Sequence, residues 1–395
     1  MTSSLEQRAA EADAIDPLAH MRRRFLIPDG LTYLDGNSLG ALAAHVPAAV
    51  QDVVRRQWGE HLIGSWQTSS WWSAPTRVGD RLAPLLGAAP GQVVVADSTS
   101  VNVFKLLVAA LRAAAPRTEL LVDATTFPSD GYVAQSVGRM TGASVVPVHP
   151  DDLAGALSRG TAVVLANHVD YRTGRLYDMA SHTAAAHAVG ALVVWDVSHS
   201  AGVLALKLDR IGVDFAVGAT YKFLGGGPGA PAFSYVASRW QPRLDQPLTG
   251  WGGAADPFAM SGQFEAAAGI DRMRVGTPDI LSLLALDAAL DVWDDVDMAQ
   301  VRAKGLALTG FFMDCVHELL PPELAEVVTT RGDDRGHQVS VRVAAAATLV
   351  GRLAERGVVV DWRPPDLLRA GFAPLYTSYG DALRGAQVIA DLLSE

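Results

Sequence analysis

A lysine and an aspartate occupy the positions in this sequence that are best placed for chemistry. Asp196 ends the apolar run 191–195, and Lys222 follows Tyr221 at the end of the next apolar run, before the glycines at 225–227. A lysine amine forms an imine with an aldehyde, and a buried carboxylate stabilises a neighbouring pyridinium. Pyridoxal phosphate carries both an aldehyde and a pyridine nitrogen, so the pair suggests this cofactor. Taken alone, either residue is more often an acid that caps a turn or a lysine that reaches solvent.

Two other segments offer groups that such a cofactor needs. In the segment 92–107 a predicted strand gives way to Ser98 and Thr99 and then to a helix, so hydroxyls and free N–H groups meet at a helix N-terminus. Phosphate binds well at such a site, although an ordinary helix cap is the simpler interpretation of this segment by itself. Phe127 offers an aromatic face at the next strand exit, suited to stacking on a pyridine ring or to packing in a core.

These residues lie at the ends of predicted strands. Short β-branched runs alternate with alanine-rich helical stretches, which predicts an α/β fold with a mostly parallel, doubly wound sheet. Ligands bind beyond the carboxyl ends of the strands in such sheets. The predicted strands are 92–96, 119–122, 144–148, 162–166, 192–195 and 215–218, and the helices between them include 101–115, 150–157 and 179–189.

The pattern changes after about residue 280 and indicates a second, smaller α+β domain. A long helical pattern at 280–313 leads into alternating signals, with strands predicted at 337–343 and 358–361 and helices at 344–355 and 382–393. We expect an N-terminal arm at 1–45 that packs with the small domain or with a partner subunit, a large cofactor-binding domain at 46–280 and a small C-terminal domain at 281–395.

Composition sets the broad class. The 395 residues are 49% hydrophobic and 19% charged, as in an ordinary globular protein. A formal net charge of −10 argues against a nucleic-acid binder. Cys315 is the single cysteine, which excludes an intramolecular disulfide and a multi-cysteine metal site. The polar start and the lack of a bilayer-length apolar run predict a cytoplasmic protein without a membrane partner.

An ordered set of motifs carries a family resemblance. Over residues 30–380 the chain resembles kynureninases, which are fold-type-I pyridoxal-phosphate enzymes of the aminotransferase superfamily. The set is far more specific than any single motif, because its members recur in one order. The motifs are YLDGNSLG at 33–40, ADSTSVN at 96–102, FPSD at 127–130, WDVSHSAG at 195–202, YKFLGGGPG at 221–229, LTGWGG at 248–253, RVGTP at 274–278, and Arg369 upstream of APLY at 373–376.

The resemblance implies a role for each matching residue. Lys222 is the lysine that carries the cofactor, Asp196 and His199 contact the pyridine ring and its substituents, and Arg369 holds the α-carboxylate of an amino-acid substrate. The other implied cofactor contacts are Ser98, Thr99 and Tyr221 at the phosphate, Phe127 over the ring, Ser129, Asp130 and Asn167 near it, and Trp251 and Thr277 across the interface of a homodimer.

The implied reaction is hydrolysis of the Cβ–Cγ bond of an L-kynurenine to an anthranilate and L-alanine, with Lys222 and Tyr221 in acid–base roles. Ser38, His61 and Trp66 lie where relatives line the aryl pocket, although a tryptophan cluster is more often packing or a dimer contact. Kynurenine, 3-hydroxykynurenine and ring-methylated forms all remain open as substrates. Tryptophan catabolism, with the kynurenine pathway and NAD biosynthesis, and a role in secondary metabolism also remain open.

Other functions share parts of this pattern. A cysteine desulfurase has the fold and the lysine, but it needs a mobile nucleophilic cysteine, and Cys315 lies in an apolar helical stretch. Assignment as an aminotransferase would account for Asp196 and Lys222 but not for the motifs FPSD, LTGWGG and YLDGNSLG. A non-catalytic binding protein of this fold has no need for Lys222 and Arg369. A metal hydrolase is a weaker idea, since His182 and His187 are too poorly aligned on a helix to chelate.

Overall fold

The computed structural model describes residues 4–395. Its α-helices are, in chain order, α1 Ser4–Ala14, α2 Val46–Asp52, α3 Ser65–Thr68, α4 Ala74–Leu86, α5 Thr99–Ala113, α6 Pro128–Thr141, α7 Leu153–Ala156, α8 Met179–Ala188, α9 Leu208–Ile211, α10 Ile280–Ala289, α11 Met298–Leu319, α12 Ala346–Glu355 and α13 Tyr379–Ser394. None of these helices has both the length and the apolar character needed to cross a bilayer.

The β-strands of the same residues belong to a large sheet, a smaller sheet and two short pairs. They are, in chain order, β1 Phe25–Leu26, β2 Thr32–Tyr33, β3 Leu42–Ala43, β4 Val93–Val95, β5 Glu119–Asp123, β6 Ser144–Val148, β7 Thr161–Asn167, β8 Leu192–Asp196, β9 Phe215–Gly218, β10 Phe233–Val236, β11 Glu326–Val327, β12 Gln338–Arg342, β13 Val358–Val359, β14 Asp361–Arg363 and β15 Leu367–Gly371.

The large sheet has the strand order β4-β10-β9-β8-β7-β5-β6. β10 runs antiparallel to both of its neighbours, and the other neighbouring pairs are parallel. The α/β prediction with a mostly parallel sheet is therefore confirmed, and each strand predicted in the middle of the chain forms within one residue of its predicted bounds. The carboxyl ends of the parallel strands share one edge, as the prediction of a site there requires.

Helices cover both faces of this sheet, so its strands are apolar on both sides. Val163 and Leu165 of β7 pack in a cluster with residues of α5 and α6, whereas Val164 and Ala166 pack in a cluster with residues of α4, α8 and α10. Burial of each such side chain stabilises the fold by roughly 1.5–3 kcal/mol. The strand ends that carry the predicted site therefore extend from a sheet whose two faces are both buried by packed helices.

The smaller sheet, β11-β12-β15-β14, is antiparallel throughout, and β13 pairs in parallel with β2. α11, α12 and α13 pack around an apolar cluster of their own, which α1 joins through Leu5 and Ala9. The register between β14 and β15 places Asp361 directly opposite Arg369. The N-terminal and C-terminal segments of the chain are thus packed together.

The helical pattern at 280–313 predicted one continuous helix, and this prediction was wrong. α10 ends at Ala289, a 3-10 turn follows, and α11 begins only at Met298. The intervening residues include aspartates, which favour caps and turns because they compete for backbone N–H groups. Asp297 caps α11 by accepting a hydrogen bond of 2.8 Å from the N–H of Ala299.

Candidate active site

The carboxyl ends of β7, β8 and β9 bring several predicted cofactor residues to one edge of the large sheet. Asn167 ends β7, Asp196 ends β8, and Lys222 lies in the turn that follows β9. The Nζ atom of Lys222 is 2.9 Å from Nε2 of His199, which lies in the turn after β8. Parallel neighbours in the sheet thus place an amine, an imidazole and a carboxylate at one edge.

The surroundings of Lys222 favour its neutral, nucleophilic form. Burial lowers the pKa of Lys222 to about 8, even though the charge of Asp196 opposes the shift, and the positive charges of Arg369 and Arg363 add to it. Burial, followed by the charge of Lys222, lowers the pKa of His199 well below its ordinary value, so the imidazole is neutral. A lysine amine of this kind can attack an aldehyde near neutral pH.

A second acidic residue, Asp130, lies next to Asp196. Burial, followed by the charge of Asp196, raises the pKa of Asp130 well above its ordinary value, so Asp130 holds a proton that it donates to Asp196. The hydroxyl of Thr126 donates to Asp130 at 3.1 Å and accepts a hydrogen bond from the Asn167 amide. The N–H of Ser198 donates to Asp196 at 2.6 Å. This network fixes the carboxyl group of Asp196 at the sheet edge, where it can stabilise a pyridinium.

The predicted phosphate turn lies at the start of α5. Asp97 adopts a left-handed backbone with φ +57°, and its carboxylate pairs with the buried Lys105 at 2.7 Å, which fixes the turn. The Ser98 hydroxyl accepts a hydrogen bond of 3.3 Å from the N–H of Val101, yet Ser98 itself remains exposed. Ser98, Thr99 and the free N–H groups of the first helical turn are therefore available to an anion.

Phe127 lies immediately before α6 with 39% of its surface exposed. One edge of its ring contacts Tyr171, with the ring centroids 5.1 Å apart and the planes at 78°. Ser129 and Asp130 follow in the first turn of α6. Because the Phe127 ring is only partly covered, it can pack over a planar ligand, as the sequence predicts.

Arg369 on β15 is 1% exposed and is already engaged by protein groups. Its Nε atom donates to Asp361 at 2.7 Å, and Nη2 donates to the second oxygen of Asp361 and to the Ser38 hydroxyl at 3.3 Å. Nη1 donates to the main-chain carbonyl of Tyr171. The bidentate fork therefore holds Asp361, and one N–H of Nη1 remains for a substrate carboxylate.

Sequence reasoning missed some residues of this site. Thr126 joins Asp130 to Asn167, and Asp361 orients Arg369. Arg363, two residues after Asp361 on β14, lies 3.0 Å from it. The alternating charges of the DWR run at 361–363 are the one signal that could have pointed to this pair.

The predicted aryl-pocket residue Trp66 and the predicted interface residue Trp251 belong to an aromatic cluster, which we call the tryptophan cluster: Trp66, Trp72, Trp251 and Phe258. The ring centroid of Trp72 lies 6.4 Å from that of Trp66, 4.9 Å from that of Trp251 and 5.8 Å from that of Phe258. Trp66 also contacts the buried Trp71. This cluster is exposed on one side, with Phe258 69% exposed.

His61 and Thr277 are exposed as well. A backbone hydrogen bond of 2.9 Å from Gly252 to Val275 brings the segment of Thr277 next to that of Trp251. Within residues 4–395 of one chain, no hydrogen bond or ring contact joins His61, Thr277 or the tryptophan cluster to Lys222. The structure of one chain thus brings together only the cofactor and carboxylate parts of the predicted site.

The alternatives find little support in the geometry. Cys315 is fully buried within α11, and burial raises the pKa of its thiol to about 12, which is unsuited to a mobile nucleophile. His182 stacks on Trp195, and His187 bonds to Asp214 at 2.8 Å. Among the described residues, no group of His, Cys, Asp and Glu side chains is placed to hold a metal ion.

The groups at the sheet edge fit pyridoxal phosphate. The amine of Lys222 suits its aldehyde, the carboxylate of Asp196 suits its pyridine nitrogen, the turn at Ser98 suits its phosphate, and the exposed ring of Phe127 suits its face. Each of these groups is supplied by a strand end or by the turn that follows one. The donor set therefore matches the cofactor that the sequence predicts.

Solved structures show the same fold. A cysteine desulfurase, CsdA of Escherichia coli, superposes with a TM-score of 0.82 at 20% identity, covering 95% of this chain and 98% of that one. A C-DES mutant with glycine covalently linked to its PLP cofactor also gives a TM-score of 0.82, at 18% identity, covering 94% of this chain and 99% of that one. At these identities the likeness concerns the fold, which is that of fold-type-I pyridoxal-phosphate enzymes.

Sequence comparisons go further. Residues 301–389 match the family model of the kynureninase C-terminal domain. The kynureninase of Deinococcus radiodurans is 50% identical over 97% of this chain and 95% of its own length. Those of Burkholderia pseudomallei strain 1106a and Pseudomonas fluorescens are 42% and 41% identical, over 98% and 96% of this chain and 95% and 94% of their own lengths. The chain therefore belongs to the kynureninase family, whose members are pyridoxal-phosphate-dependent hydrolases of carbon–carbon bonds.

Proposed function

We propose that this chain hydrolyses the Cβ–Cγ bond of L-kynurenine, 3-hydroxykynurenine or both, giving anthranilate or 3-hydroxyanthranilate and L-alanine. The observation that carries the proposal is the Lys222 amine, with its lowered pKa, beside His199 and close to the Asp196–Asp130 pair. The type of reaction in which this amine takes part is inferred from the kynureninase relatives of the chain. Pyridoxal phosphate, when bound, supplies an electron sink for negative charge that develops on the substrate.

Each residue then has a defined task. Lys222 would hold the aldehyde of the cofactor, and its amine moves the proton of the substrate Cα atom. Asp196 would stabilise the protonated pyridine nitrogen, and Ser98 and Thr99 would bind the phosphate. Burial, followed by the charge of Asp196, raises the pKa of Tyr221, which therefore stays protonated and can deliver a proton to the substrate Cβ atom.

The net chemistry needs one water molecule. The hydroxyl of the water is added to the γ-carbonyl carbon and remains there in the carboxyl group of the anthranilate. The Cβ–Cγ bond breaks, and its electron pair takes up a proton at Cβ, which becomes the methyl carbon of alanine. Arg369, held by Asp361, positions the α-carboxylate during these steps.

The working form in this proposal is a homodimer whose active sites lie at the subunit interface. The support is that, within residues 4–395 of one chain, no hydrogen bond or ring contact joins the tryptophan cluster, His61 or Thr277 to Lys222, while large apolar side chains near them are exposed. These side chains are Trp58, Leu62, Ile63, Phe258, Met260 and Phe264. A second copy of the chain would cover such a surface and add the aryl pocket to the cofactor site.

The proposed substrate is a small-molecule amino acid of the kynurenine type, and we place the enzyme in tryptophan catabolism, through the kynurenine pathway towards NAD biosynthesis, in the cytoplasm. A product assay tests the chemistry. The enzyme loaded with pyridoxal phosphate is given kynurenine and, separately, 3-hydroxykynurenine, and we expect one alanine for each anthranilate released. Formation of a keto acid in place of alanine, or no product from either substrate, would contradict the proposal.

A further inference from the structure

Asp35, in the YLDGNSLG motif, follows β2 and lies between β13 and the end of β15. The N–H of Leu34 donates to the carbonyl of Val359 at 2.9 Å, and the N–H of Gly371 donates to the carbonyl of Leu34 at 2.7 Å. Asp35 itself forms a β-bridge with Gly371. The chain at 34–35 thus lies between β13, which immediately precedes Asp361 and β14, and β15, which carries Arg369.

One oxygen of the Asp35 carboxyl group lacks the partner that a buried anion requires. Its Oδ1 atom is buried without any hydrogen-bond partner. Ser38, whose hydrogen bond favours the ionised form of Asp35, donates its hydroxyl proton to Asp361 and accepts from Arg369. A buried carboxylate oxygen without a donor costs several kcal/mol more than one that is hydrogen-bonded, whereas a protonated carboxyl group has less charge to lose from solvation. The geometry therefore favours the neutral acid.

The charges around Asp35 determine what its ionisation would do to the carboxylate site. Asp361 and Arg363 face it from β14, Arg369 from β15, Tyr33 from its own segment and Tyr376 from the loop after β15. With both tyrosines neutral, the two arginines and Asp361 give a net charge of 2 − 1 = +1. An ionised Asp35 would reduce this to zero and would oppose an arriving carboxylate. Burial, followed by the charge of Asp361, raises the pKa of Asp35 to about 7.

We propose that Asp35 is a positioning residue that carries a proton while the substrate α-carboxylate is bound, so that Asp361, Arg363 and Arg369 keep the net positive charge that attracts it. The proposal rests on the proposed function, because that function places the carboxylate at Arg369. Asp35 needs no contact with the substrate in this role. Because the protonated Asp35 is neutral, it adds no negative charge near Arg369, and the site keeps its net positive charge.

The direction of the pH dependence follows from this role. Below about pH 7 Asp35 is neutral and the carboxylate binds well, and above it Asp35 ionises and binding weakens. Bound carboxylate raises the pKa of Asp35 further, so that binding above neutral pH takes up a proton. If the bound carboxylate raises the pKa of Asp35 by on the order of one unit, KM rises by up to about tenfold between about pH 6 and about pH 8.5.

The test compares wild-type enzyme, Asp35→Asn and Asp29→Asn across this pH range with kynurenine as substrate. Asparagine has the shape of the neutral acid and cannot ionise, while Asp29 is an exposed acid of the same arm and serves as the matched control. We expect KM to rise about tenfold in the wild type and in Asp29→Asn, and to remain at its low-pH value in Asp35→Asn. Equal pH profiles of KM in all three proteins would overturn the proposal.

Calorimetry supplies a readout that does not depend on turnover. L-Alanine is titrated into each holoenzyme at about pH 7.5 in two buffers of different ionisation enthalpy, and the difference in heat gives the number of protons taken up on binding. The wild type should take up more protons than Asp35→Asn, and an equal uptake would count against the role of Asp35. If no variant releases anthranilate from kynurenine, the proposed function fails, while this proton count still tests Asp35 alone.

Discussion

Lys222 owes its lowered pKa first to burial, so its reactivity depends on the side chains that exclude water from its amine. His199, packed against that amine, is neutral for the same reason. Lys222, Asp196 and Arg369 could be selected as site candidates from sequence, because their types and motifs limit what each can do. The roles of Thr126 and Asp361 could not, since a threonine hydroxyl or a strand carboxylate becomes functional only through a neighbour that folding brings to it.

Replacement of Lys222 by alanine is expected to abolish covalent attachment of the cofactor and to lower kcat about a thousandfold or more, because no other amine takes its place at the Asp196 edge. Borohydride reduction followed by peptide mass analysis locates the attachment. Lys207→Ala, which removes an exposed lysine, is the control and should retain the label on Lys222. A label that persists in Lys222→Ala would show that another lysine carries the cofactor.

Among the elements, strands that alternate with helices were predictable because periodicity and β-branched runs indicate them directly. β10 was missed: Phe233–Val236 is short, follows a glycine- and proline-rich stretch, and enters the sheet antiparallel between β4 and β9. Local sequence does not encode which strands a segment will join. The break between α10 and α11 was missed for a related reason, since the apolar pattern continues on both sides of the aspartates.

The cap of α11 gives a prediction about stability. Asp297→Ala removes the acceptor for the N–H of Ala299 and is expected to lower the free energy of unfolding by about 1 kcal/mol. Urea unfolding, followed by circular dichroism, measures the change. Asp295→Ala, an exposed neighbour in the same break, should leave the unfolding midpoint within error. Equal losses in the two variants would mean that the general acidity of the segment matters and the cap does not.

At the scale of the whole molecule, the proposed dimer predicts that active sites can be rebuilt from two defective subunits. Lys222→Ala lacks the proposed cofactor lysine, and Trp251→Ala lacks a residue that the neighbouring subunit would contribute. Random mixing makes half of the dimers mixed, and each mixed dimer has one intact site of two, so roughly a quarter of wild-type activity should return. Activity is measured after the variants are unfolded together and refolded, and mass photometry reports the dimers.

A mixture of Lys222→Ala and Asp196→Asn, prepared in the same way, serves as the control for this experiment. Both residues lie in the cofactor site of one chain, so mixing these variants should restore nothing. Recovery in the control, or none in the first mixture, would argue against sites that are shared between subunits.

The pairing of β2 with β13, together with the bridge from Asp35 to Gly371, has a consequence for how the molecule is made. Thr32 and Tyr33 leave the ribosome early, but their partners Val358 and Val359 lie near the end of a chain of 395 residues. The large sheet has all its strands by Val236, so it can form during translation. The N-terminal segment cannot pair until the last tenth of the chain is made, and a ribosome that stops before it would release a protein that has Lys222 but lacks Arg369, the proposed carboxylate-binding residue.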